Sequence, residues 1–260
     1  MTTKSLSELR TVIIGAGNVA THLARALAVH CHVDQIYSHT EANAALLAQS
    51  IGCPNYTADL ECIIPDADLY IIAVKDDAIE KVVAAIPDNE ALWLHTSGSK
   101  PISVFHGRRS QYGVIYPMQS FVKQIPVDFS QVPFFIEGSD NTATASIEQL
   151  AHTLSGHVYH ADSDTRCRLH IAAVLCCNFP NHLWTLADDL LKPAGIPFEV
   201  MLPLIRTSVD KLAQVSPADA QTGPAIRRDC NILSKHLAML SGDTQSIYKI
   251  LSESIINHHS

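Results

Sequence analysis

A small set of polar residues in this sequence could transfer protons or bind a charged substrate. His170 and Asn178 lie in an otherwise apolar stretch of helical character, and His170 is the best candidate acid or base because the ordinary pKa of histidine lies near neutrality. Tyr116 ends a short apolar segment and could donate a proton to a carbonyl or an imine. Arg227 could bind a carboxylate through paired hydrogen bonds, and Asp229 could orient that arginine. These side chains are the candidate catalytic residues.

Each of these residues also has an ordinary structural explanation, which the sequence leaves open. At about 100° per residue, Asn178 lies roughly 80° from His170 around an ideal α-helix, so one face could present both side chains to a ligand. Backbone carbonyls could equally bind them, since buried polar groups need partners. Tyr116 could pack beneath its own loop, and Arg227 and Asp229 could form an ion pair on the surface.

A glycine-rich turn near the start of the chain predicts a nucleotide site. The apolar run 12–14 stops at Gly15, and Gly17 and Ala20 follow at the spacing G-x-G-x-x-A before a helical pattern begins. Gly15 permits the tight turn, Gly17 lets the backbone approach a pyrophosphate, and Ala20 lets the helix pack close to the sheet. The helix N-terminus would offer N–H groups to the phosphates. The predicted cofactor-binding residues of this turn are Gly15, Gly17, Asn18, Val19 and Ala20. A purely structural strand–helix turn is the alternative.

The end of the second predicted strand, 33–37, favours NADP over NAD as the cofactor. An Asp or Glu about 20 residues after the glycines would bind the ribose hydroxyls of NAD, but Asp34 lies too early in the strand. Ser38, His39 and Thr40 stand at that position and could form hydrogen bonds with a 2′-phosphate. The arginine that usually binds this phosphate is missing, so NAD stays possible.

Further loops should follow the strands at the same edge of the sheet, where ligands of open α/β sheets bind. Residues 73–75 follow an apolar strand and would lie along the middle of the cofactor, and residues 97–99 should flank its nicotinamide end beside Tyr116. An ordinary turn is the alternative for residues 97–99. The predicted cofactor-binding residues of these loops are Ala73, Val74, Lys75, Ser97, Gly98 and Ser99.

Strand and helix patterns alternate through the first 161 residues and then give way to helices. Short strands are predicted at 12–14, 33–37, 69–74, 91–95, 114–116, 134–137 and 158–160, so the fold class is α/β with a doubly wound parallel sheet. Beyond Asp162 the pattern predicts helices at 164–179, 181–192, 198–214, 223–241 and 244–256, with Pro224 just inside the start of one of them. The sequence therefore predicts a Rossmann-type domain over 1–161 and an all-helical domain over 162–260.

Composition and charge exclude several classes of function. The chain has 260 residues, of which 47% are hydrophobic, and its formal net charge is −8. No basic tract interleaves with aromatic residues, so nucleic acid is not an expected partner. No apolar run approaches the roughly 20 residues that span a bilayer, and the first ten residues lack an apolar signal region. We therefore expect a cytoplasmic protein with no membrane contact.

The cysteine and histidine residues predict neither disulfides nor a metal site. The seven cysteines form no C-x-x-C pair, and Cys176 and Cys177 lie in an apolar run that predicts burial. The clusters 30–32 and 258–259 contain histidine but lack the spacing of metal ligands.

Four short motifs, in order along the chain, resemble one bacterial family. They are His95-Thr-Ser-Gly-Ser99, Tyr116-Pro-Met-Gln-Ser-Phe121, His170-Ile-Ala-Ala-Val174 with Asn178, and Thr222-Gly-Pro-Ala-Ile-Arg-Arg-Asp229. Together with the glycine turn they resemble Rossmann-like proteins with a C-terminal DUF2520 domain, often described as NADP oxidoreductases of the deazaflavin-dependent type. The architecture is similar to the 6-phosphogluconate dehydrogenase-like group, which includes pyrroline-5-carboxylate reductases and β-hydroxyacid dehydrogenases.

The resemblance implies an NADP site and a homodimer in which the helical region completes the partner's cleft. It also brings out one departure. β-Hydroxyacid dehydrogenases have a lysine four residues before an asparagine on the corresponding helix, and this chain has Val174 four residues before Asn178. This difference counts against hydroxyacid oxidation by that mechanism.

Three hypotheses for the function follow. The first is an NADP-dependent oxidoreductase that transfers hydride between the nicotinamide and a small carbonyl or imine substrate. The second is hydride exchange between a deazaflavin and NADP. The third is a non-catalytic regulatory protein that binds NADP.

Overall fold

A computed structural model describes residues 4–259, which form two compact units that divide between Cys177 and Asn178. The sequence-based division at 161/162 differs from this one by a single helix and its adjoining turn. That helix begins at Ser163 and belongs to the first unit, where a buried arginine binds it to the sheet.

The described part of the first unit contains one eight-stranded sheet with the strand order β3-β2-β1-β4-β5-β6-β7-β8. Strands β6 and β7 are antiparallel, and the other neighbouring strands pair in parallel. This architecture confirms the predicted α/β fold class. The strands are β1 Arg10–Ile14, β2 His32–Tyr37, β3 Asn55–Thr57, β4 Leu69–Ile72, β5 Leu92–His95, β6 Gln111–Pro117, β7 Phe134–Gly138 and β8 Val158–His160.

Strand β3 is the element of the sheet that the sequence did not predict. It is three residues long at the edge of the sheet, and its residues are exposed or half-buried. The central strands are different: every residue of β4 and of β5 is buried. Continuous apolar runs of this kind are typical of parallel strands covered on both faces, which is why they could be predicted.

Helices α1 Asn18–Leu27, α2 Glu41–Ile51, α3 Asp76–Ala85 and α4 Asn141–Leu154 pack against the sheet. Their ends follow local sequence signals. Helix α2 stops at Gly52, which adopts the left-handed conformation at φ +68°. Helix α4 begins after Asp140, whose carboxylate accepts a 2.8 Å hydrogen bond from the Ala143 N–H.

Helix α5, Ser163–Ala173, passes into a π-helical turn, Val174–Asn178, which α6, Phe179–Leu191, follows directly. The predicted break near Pro180 is therefore wrong, because the helical backbone continues through Asn178, and Pro180 occupies one of the first two positions of α6. The wider π turn also invalidates the angular estimate made for Asn178 on an ideal α-helix. Cys176 and Cys177 in this turn are exposed, so the prediction that they are buried is wrong as well.

The second unit contains helices α6, α7 Leu202–Lys211, α8 Cys230–Met239 and α9 Gly242–His258. The predicted helix 223–241 begins only at Cys230, so Arg227 and Asp229 do not lie in the first turns of a helix. Gly223 at φ +109° and Arg228 at φ +55° have left-handed backbone, which an α-helix cannot contain. Asp229 instead caps α8, and its carboxylate accepts a 3.2 Å hydrogen bond from the Ile232 N–H.

None of the described helices is both long and apolar enough to cross a membrane.

Candidate functional site

The turn between β1 and α1 has a backbone that requires glycine at its first position. Gly15 adopts φ +135°, and a Cβ there would lie 2.2 Å from the carbonyl oxygen of Ala73. The Gly15 N–H donates a 2.8 Å hydrogen bond to the Tyr37 carbonyl, which ties the turn to the end of β2. The close approach of the turn to Ala73 therefore excludes any side chain at position 15.

Gly17, unlike Gly15, faces open space that could hold a phosphate group. Apart from Gly17 itself and its two neighbours in the chain, no atom lies within 4 Å of the position that its Cβ would occupy, and its backbone angles, φ −78° and ψ −170°, suit any residue. As the N-cap of α1 it supplies no side chain to the N–H groups of the first turn, at Asn18, Val19 and Ala20. Ala20 is fully buried against the sheet. The open space and the uncapped amides are what a bound pyrophosphate needs.

The residues after β2 present polar groups and no carboxylate. Ser38 is buried and its hydroxyl accepts a 3.3 Å hydrogen bond from the Thr40 N–H, while His39 and Thr40 are exposed. Asp34 is bound by Arg10, whose Nε lies 2.6 Å from the Asp34 Oδ2 at the beginning of β1. The carboxylate of Asp34 is therefore held away from the position where it could bind a ribose.

The loop after β4 lies directly beside the glycine turn. Ala73 is buried and contacts Gly15, Val74 is half-buried, and Lys75 is exposed at the N-cap of α3. The structure therefore brings the backbone of Ala73 and Val74 against Gly15.

The loop after β5 is shaped by its own serine side chains. The Ser97 hydroxyl accepts hydrogen bonds from the N–H groups of Ser99 and Lys100, at 3.1 and 2.9 Å. The Ser99 hydroxyl donates to the Asp76 carboxylate at the start of α3. Both hydroxyls thus stabilise the turn, and the Ser97 hydrogen is still available for a ligand.

His170 and Tyr116 form a hydrogen-bonded pair within the first unit. The Tyr116 hydroxyl lies 3.2 Å from His170 Nδ1, and the two rings meet edge to face with their centroids 6.0 Å apart. Burial raises the pKa of Tyr116, so its phenol is neutral near pH 7. His170 is half-buried, so part of its surface is accessible. Two side chains that were predicted as separate catalytic candidates thus form one hydrogen-bonded pair.

The His170 ring lies on the backbone of Gly98. A Cβ at position 98 would lie 2.8 Å from both Cγ and Nδ1 of His170. The absence of a side chain at Gly98 therefore allows His170 to reach Tyr116. The structure places three candidate residues from β6, α5 and the loop after β5 in contact.

His95 is a functional candidate that the sequence presented only as part of a motif. It is fully buried, and its Nδ1 accepts a 3.2 Å hydrogen bond from the Ser97 N–H, so the proton of the neutral ring is on Nε2. Burial, and then the positive charge of Arg166, lower the pKa of His95 to about 3. His95 is thus a support for the loop that stays neutral in the folded protein at physiological pH.

Arg166 is the second residue that the sequence did not identify. It is completely buried, and its guanidinium donates to the Ser97 carbonyl at 3.2 Å, to the Lys100 carbonyl at 2.6 Å and to the Glu137 carboxylate. No local sequence signal separates a buried arginine from the exposed arginines of other helices. The one sequence feature that could have identified it is its position four residues before His170, which places both residues on the same face of a helix.

Asn178, Arg227 and Asp229 belong to the second unit. Asn178 ends the π-helical turn and is exposed, Arg227 is exposed in the segment before α8, and Asp229 is half-buried at the cap of α8. The catalytic roles predicted for these three residues stay predictions. Among the described residues, no three His, Cys, Asp or Glu side chains are grouped as metal ligands.

Two family models match the sequence. The model described as NADP oxidoreductase coenzyme F420-dependent matches residues 10–93, and the model described as Domain of unknown function (DUF2520) matches residues 132–255. The first match ends within β5, so it covers the glycine turn and the first half of the sheet.

Solved structures extend the similarity over the whole chain. BF3122 from Bacteroides fragilis, a protein ascribed to the NADP oxidoreductases, has 47% sequence identity and a TM-score of 0.93, covering 97% of this chain and 100% of that chain. TM1727 from Thermotoga maritima has 21% identity and a TM-score of 0.69, covering 96% and 98%. A reductive aminase from Aspergillus terreus in complex with NADPH and ethyl-5-oxohexanoate has 18% identity and a TM-score of 0.69, covering 96% and 94%. The last two similarities concern the fold alone. A comparison with curated proteins gave no significant match.

Proposed function

The chain belongs to the NADP oxidoreductase family, as its similarity to BF3122 shows, and residues 132–255 match the DUF2520 domain model. We propose that it transfers hydride between NADP and a small carbonyl or imine substrate. The observation that carries the proposal is the Tyr116–His170 hydrogen bond next to Gly98, at the edge of the sheet where the cofactor loops lie. A reductase of this kind needs a nucleotide socket and a proton donor, and both sets of residues occur in the first unit.

The proposed socket uses four loops. The open space at Gly17 and the amides of α1 suit the pyrophosphate, and residues 38–40 suit the 2′-phosphate because they offer hydroxyls, an imidazole and no carboxylate. Residues 73–75 would lie along the middle of the cofactor, and residues 97–99 beside its nicotinamide. When bound, NADPH supplies the hydride.

The proposed role of Tyr116 and His170 is to supply the proton that balances the hydride. Reduction of a carbonyl adds hydride to carbon and a proton to oxygen, and reduction of an imine adds that proton to nitrogen. If Tyr116 donates to Nδ1, His170 presents its Nε2–H to the substrate. If His170 carries its proton on Nδ1, it donates to the phenol oxygen and Tyr116 presents its own O–H. Both arrangements leave one acidic hydrogen available.

Imine or carbonyl reduction suits the chain better than hydroxyacid oxidation. Val174, where the similar β-hydroxyacid dehydrogenases have lysine, is a half-buried apolar residue and cannot take up a proton. In the second unit, Asn178 and Arg227 stay the proposed polar ligands of the substrate, with Arg227 suited to a carboxylate. Asp229 is best explained as the cap of α8, and its proposed orienting role is secondary.

We further propose that the protein is a homodimer formed through its helical unit. Many large apolar side chains of this unit are exposed, and a surface of that kind is typical of an interface. They include Phe179, Trp184, Leu190, Leu204, Val209, Leu212 and Ile250.

Thermal unfolding with each nucleotide tests the cofactor. We expect NADPH to raise the melting temperature more than NADH does, because only NADPH carries the 2′-phosphate. Equal and negligible shifts with both nucleotides would overturn the proposal.

NADPH oxidation then tests the reaction, with cyclic imines, ketones plus amines, and simple aldehydes as separate substrates. Turnover with one of these classes supports the proposal. Oxidation that requires a deazaflavin would favour hydride exchange between the two cofactors instead. NADPH binding without turnover in any of these assays would favour the non-catalytic role.

A further inference from the structure

The loop after β5 is held by the side chain of one buried residue, Arg166. Arg166 is completely buried, yet its guanidinium has partners on three sides: the Ser97 carbonyl, the Lys100 carbonyl and the Glu137 carboxylate. Ser163, one turn earlier on α5, also binds Glu137 through its hydroxyl at 2.9 Å. One arginine thus joins β7, α5 and the loop that follows β5.

This arrangement uses properties that only arginine has. Its planar fork can donate to several acceptors at fixed angles, whereas the point charge of lysine cannot hold three acceptors in one plane. A buried charge is costly unless it is paired, and Glu137 supplies the opposite charge. A hydrophobic side chain could fill the same volume without this cost, so stability alone does not explain a buried ion pair here.

The same helix carries His170 one turn beyond Arg166. Residues four apart lie on neighbouring positions of one helix face, so Arg166 and His170 both face the loop 97–100. Arg166 binds the carbonyls at Ser97 and Lys100, and His170 rests on Gly98 between them. The distance between α5 and this loop therefore decides whether the His170 ring can reach Tyr116.

We propose that Arg166, compensated by Glu137, is the positioning residue of the Tyr116–His170 pair: it holds α5 against the loop 97–100 so that His170 keeps its hydrogen bond to Tyr116. The catalytic consequence rests on the function proposed above. The geometric claim concerns the free protein and can be tested without turnover.

The test compares Arg166→Lys with Arg168→Lys as its matched control. Both positions lie on α5, but Arg168 is exposed. Arg166→Lys keeps the charge beside Glu137 and loses the fork that reaches both carbonyls. Tyr116→Phe serves as the reference for a broken pair, because it removes the hydroxyl and leaves the arginine network intact.

Histidine NMR with ¹⁵N-labelled side chains gives the first readout. In the wild type and in Arg168→Lys we expect the ring nitrogens of His170 to report one dominant tautomer. In Tyr116→Phe, which lacks the hydroxyl, we expect a mixture of the two tautomers of His170. We expect Arg166→Lys to show the same mixture. If Arg166→Lys keeps the wild-type signature while its melting temperature falls, Arg166 is merely structural and the proposal is wrong.

Kinetics gives the second readout. For Arg166→Lys we expect kcat to fall by about 10- to 100-fold, as for a small displacement of a catalytic group, with a KM within about threefold of the wild type. A wild-type kcat in Arg166→Lys would also overturn the proposal. Absence of turnover in the wild type would count against the proposed function alone, because the NMR comparison would still decide the positioning role.

Glu137→Gln provides a second variant if Arg166→Lys does not fold. It keeps an oxygen acceptor for the arginine and removes the compensating charge, so we expect a partial loss of the single His170 tautomer. Retention of the wild-type NMR signature in a folded Glu137→Gln protein would contradict the compensating role of Glu137.

Discussion

The imidazole of His170 lies directly on the backbone of Gly98, so close that a Cβ at position 98 would be 2.8 Å from the ring. Real carbon atoms cannot approach this closely without displacement. The position of His170 therefore depends on the absence of a side chain at position 98. It also links a glycine of the loop after β5 to the hydrogen bond between His170 and Tyr116.

Gly98→Ala should therefore displace His170 and break its hydrogen bond to Tyr116. We expect kcat for substrate reduction to fall by at least about tenfold, since a small displacement of a proton donor has large effects on rate. Gly156→Ala is the control, because that glycine has open space around it and no positive φ. Equal activity of the two variants would contradict a role for the contact.

Tyr116→Phe and His170→Asn together should identify the group that donates the proton. Loss of a general acid costs about 10²- to 10⁴-fold in rate. His170→Asn keeps an acceptor near the position of Nδ1 and lacks Nε2. If His170 is the donor, kcat falls strongly in His170→Asn; if Tyr116 is the donor, kcat falls strongly in Tyr116→Phe and only modestly in His170→Asn. Near wild-type kcat in both would remove the pair from the mechanism.

Gly17→Ala should weaken NADPH binding without reducing stability. Its Cβ would enter open space in the free protein, and its backbone angles suit alanine, but the same space is proposed for the pyrophosphate. We expect Kd for NADPH, measured by calorimetry, to rise by at least about tenfold, equivalent to roughly 1.4 kcal/mol. The melting temperature without cofactor should stay that of the wild type.

Gly15→Ala provides the contrast to this result. A Cβ at Gly15 would meet the Ala73 carbonyl oxygen at 2.2 Å, and φ is +135°. We expect this variant to lose stability even without cofactor.

For Gly17→Ala, an unchanged affinity for NADPH would show that the turn does not bind the pyrophosphate.

His39→Asp should shift the nucleotide preference from NADPH towards NADH. The residue is exposed beside Ser38 and Thr40, where the 2′-phosphate is proposed to bind. A carboxylate there would repel the phosphate and could accept hydrogen bonds from the ribose hydroxyls of NADH. We expect the ratio of the two Kd values to move by at least about tenfold. His30→Asp, at an exposed position after α1, is the control and should leave the ratio unchanged.

His95 should make the folded state sensitive to acid. Its pKa is about 3 in the folded protein and near the ordinary value of about 6.5 in the unfolded chain, so between these values the unfolded chain binds a proton that the folded protein excludes. The free energy of unfolding should therefore fall by up to about 1.4 kcal/mol for each pH unit between about 6.5 and about 3, and this residue should not affect it above that range.

His95→Asn tests this pH dependence by urea unfolding across the range from neutral to acid. The asparagine oxygen can accept the Ser97 N–H but cannot take up a proton. We expect a shallower loss of stability below pH 6.5 than in the wild type. Parallel slopes in the wild type and His95→Asn would contradict the prediction.

Sequence patterns were sufficient where the determining contacts are local. Gly15, Gly17 and Ala20 lie within six residues, and the buried runs of β1, β4 and β5 carry their own signal. These features predicted the α/β sheet and the glycine turn. The patterns were insufficient at the start of α8, because the left-handed backbone of Arg228 delays the helix although Pro224 predicts its beginning.

What the tertiary structure alone decided is which distant residues meet. Tyr116 and His170 are 54 residues apart, and no spacing rule relates them; the packing of α5 beside the loop after β5 brings them to 3.2 Å. The burial of Arg166 is likewise invisible in its neighbours, since its partners come from β7 and from the loop 97–100. The sequence by itself determined the α/β architecture and its glycine turn, because local backbone geometry encodes them. The candidate proton donor and its support depend on long-range contacts, which exist only in the folded chain.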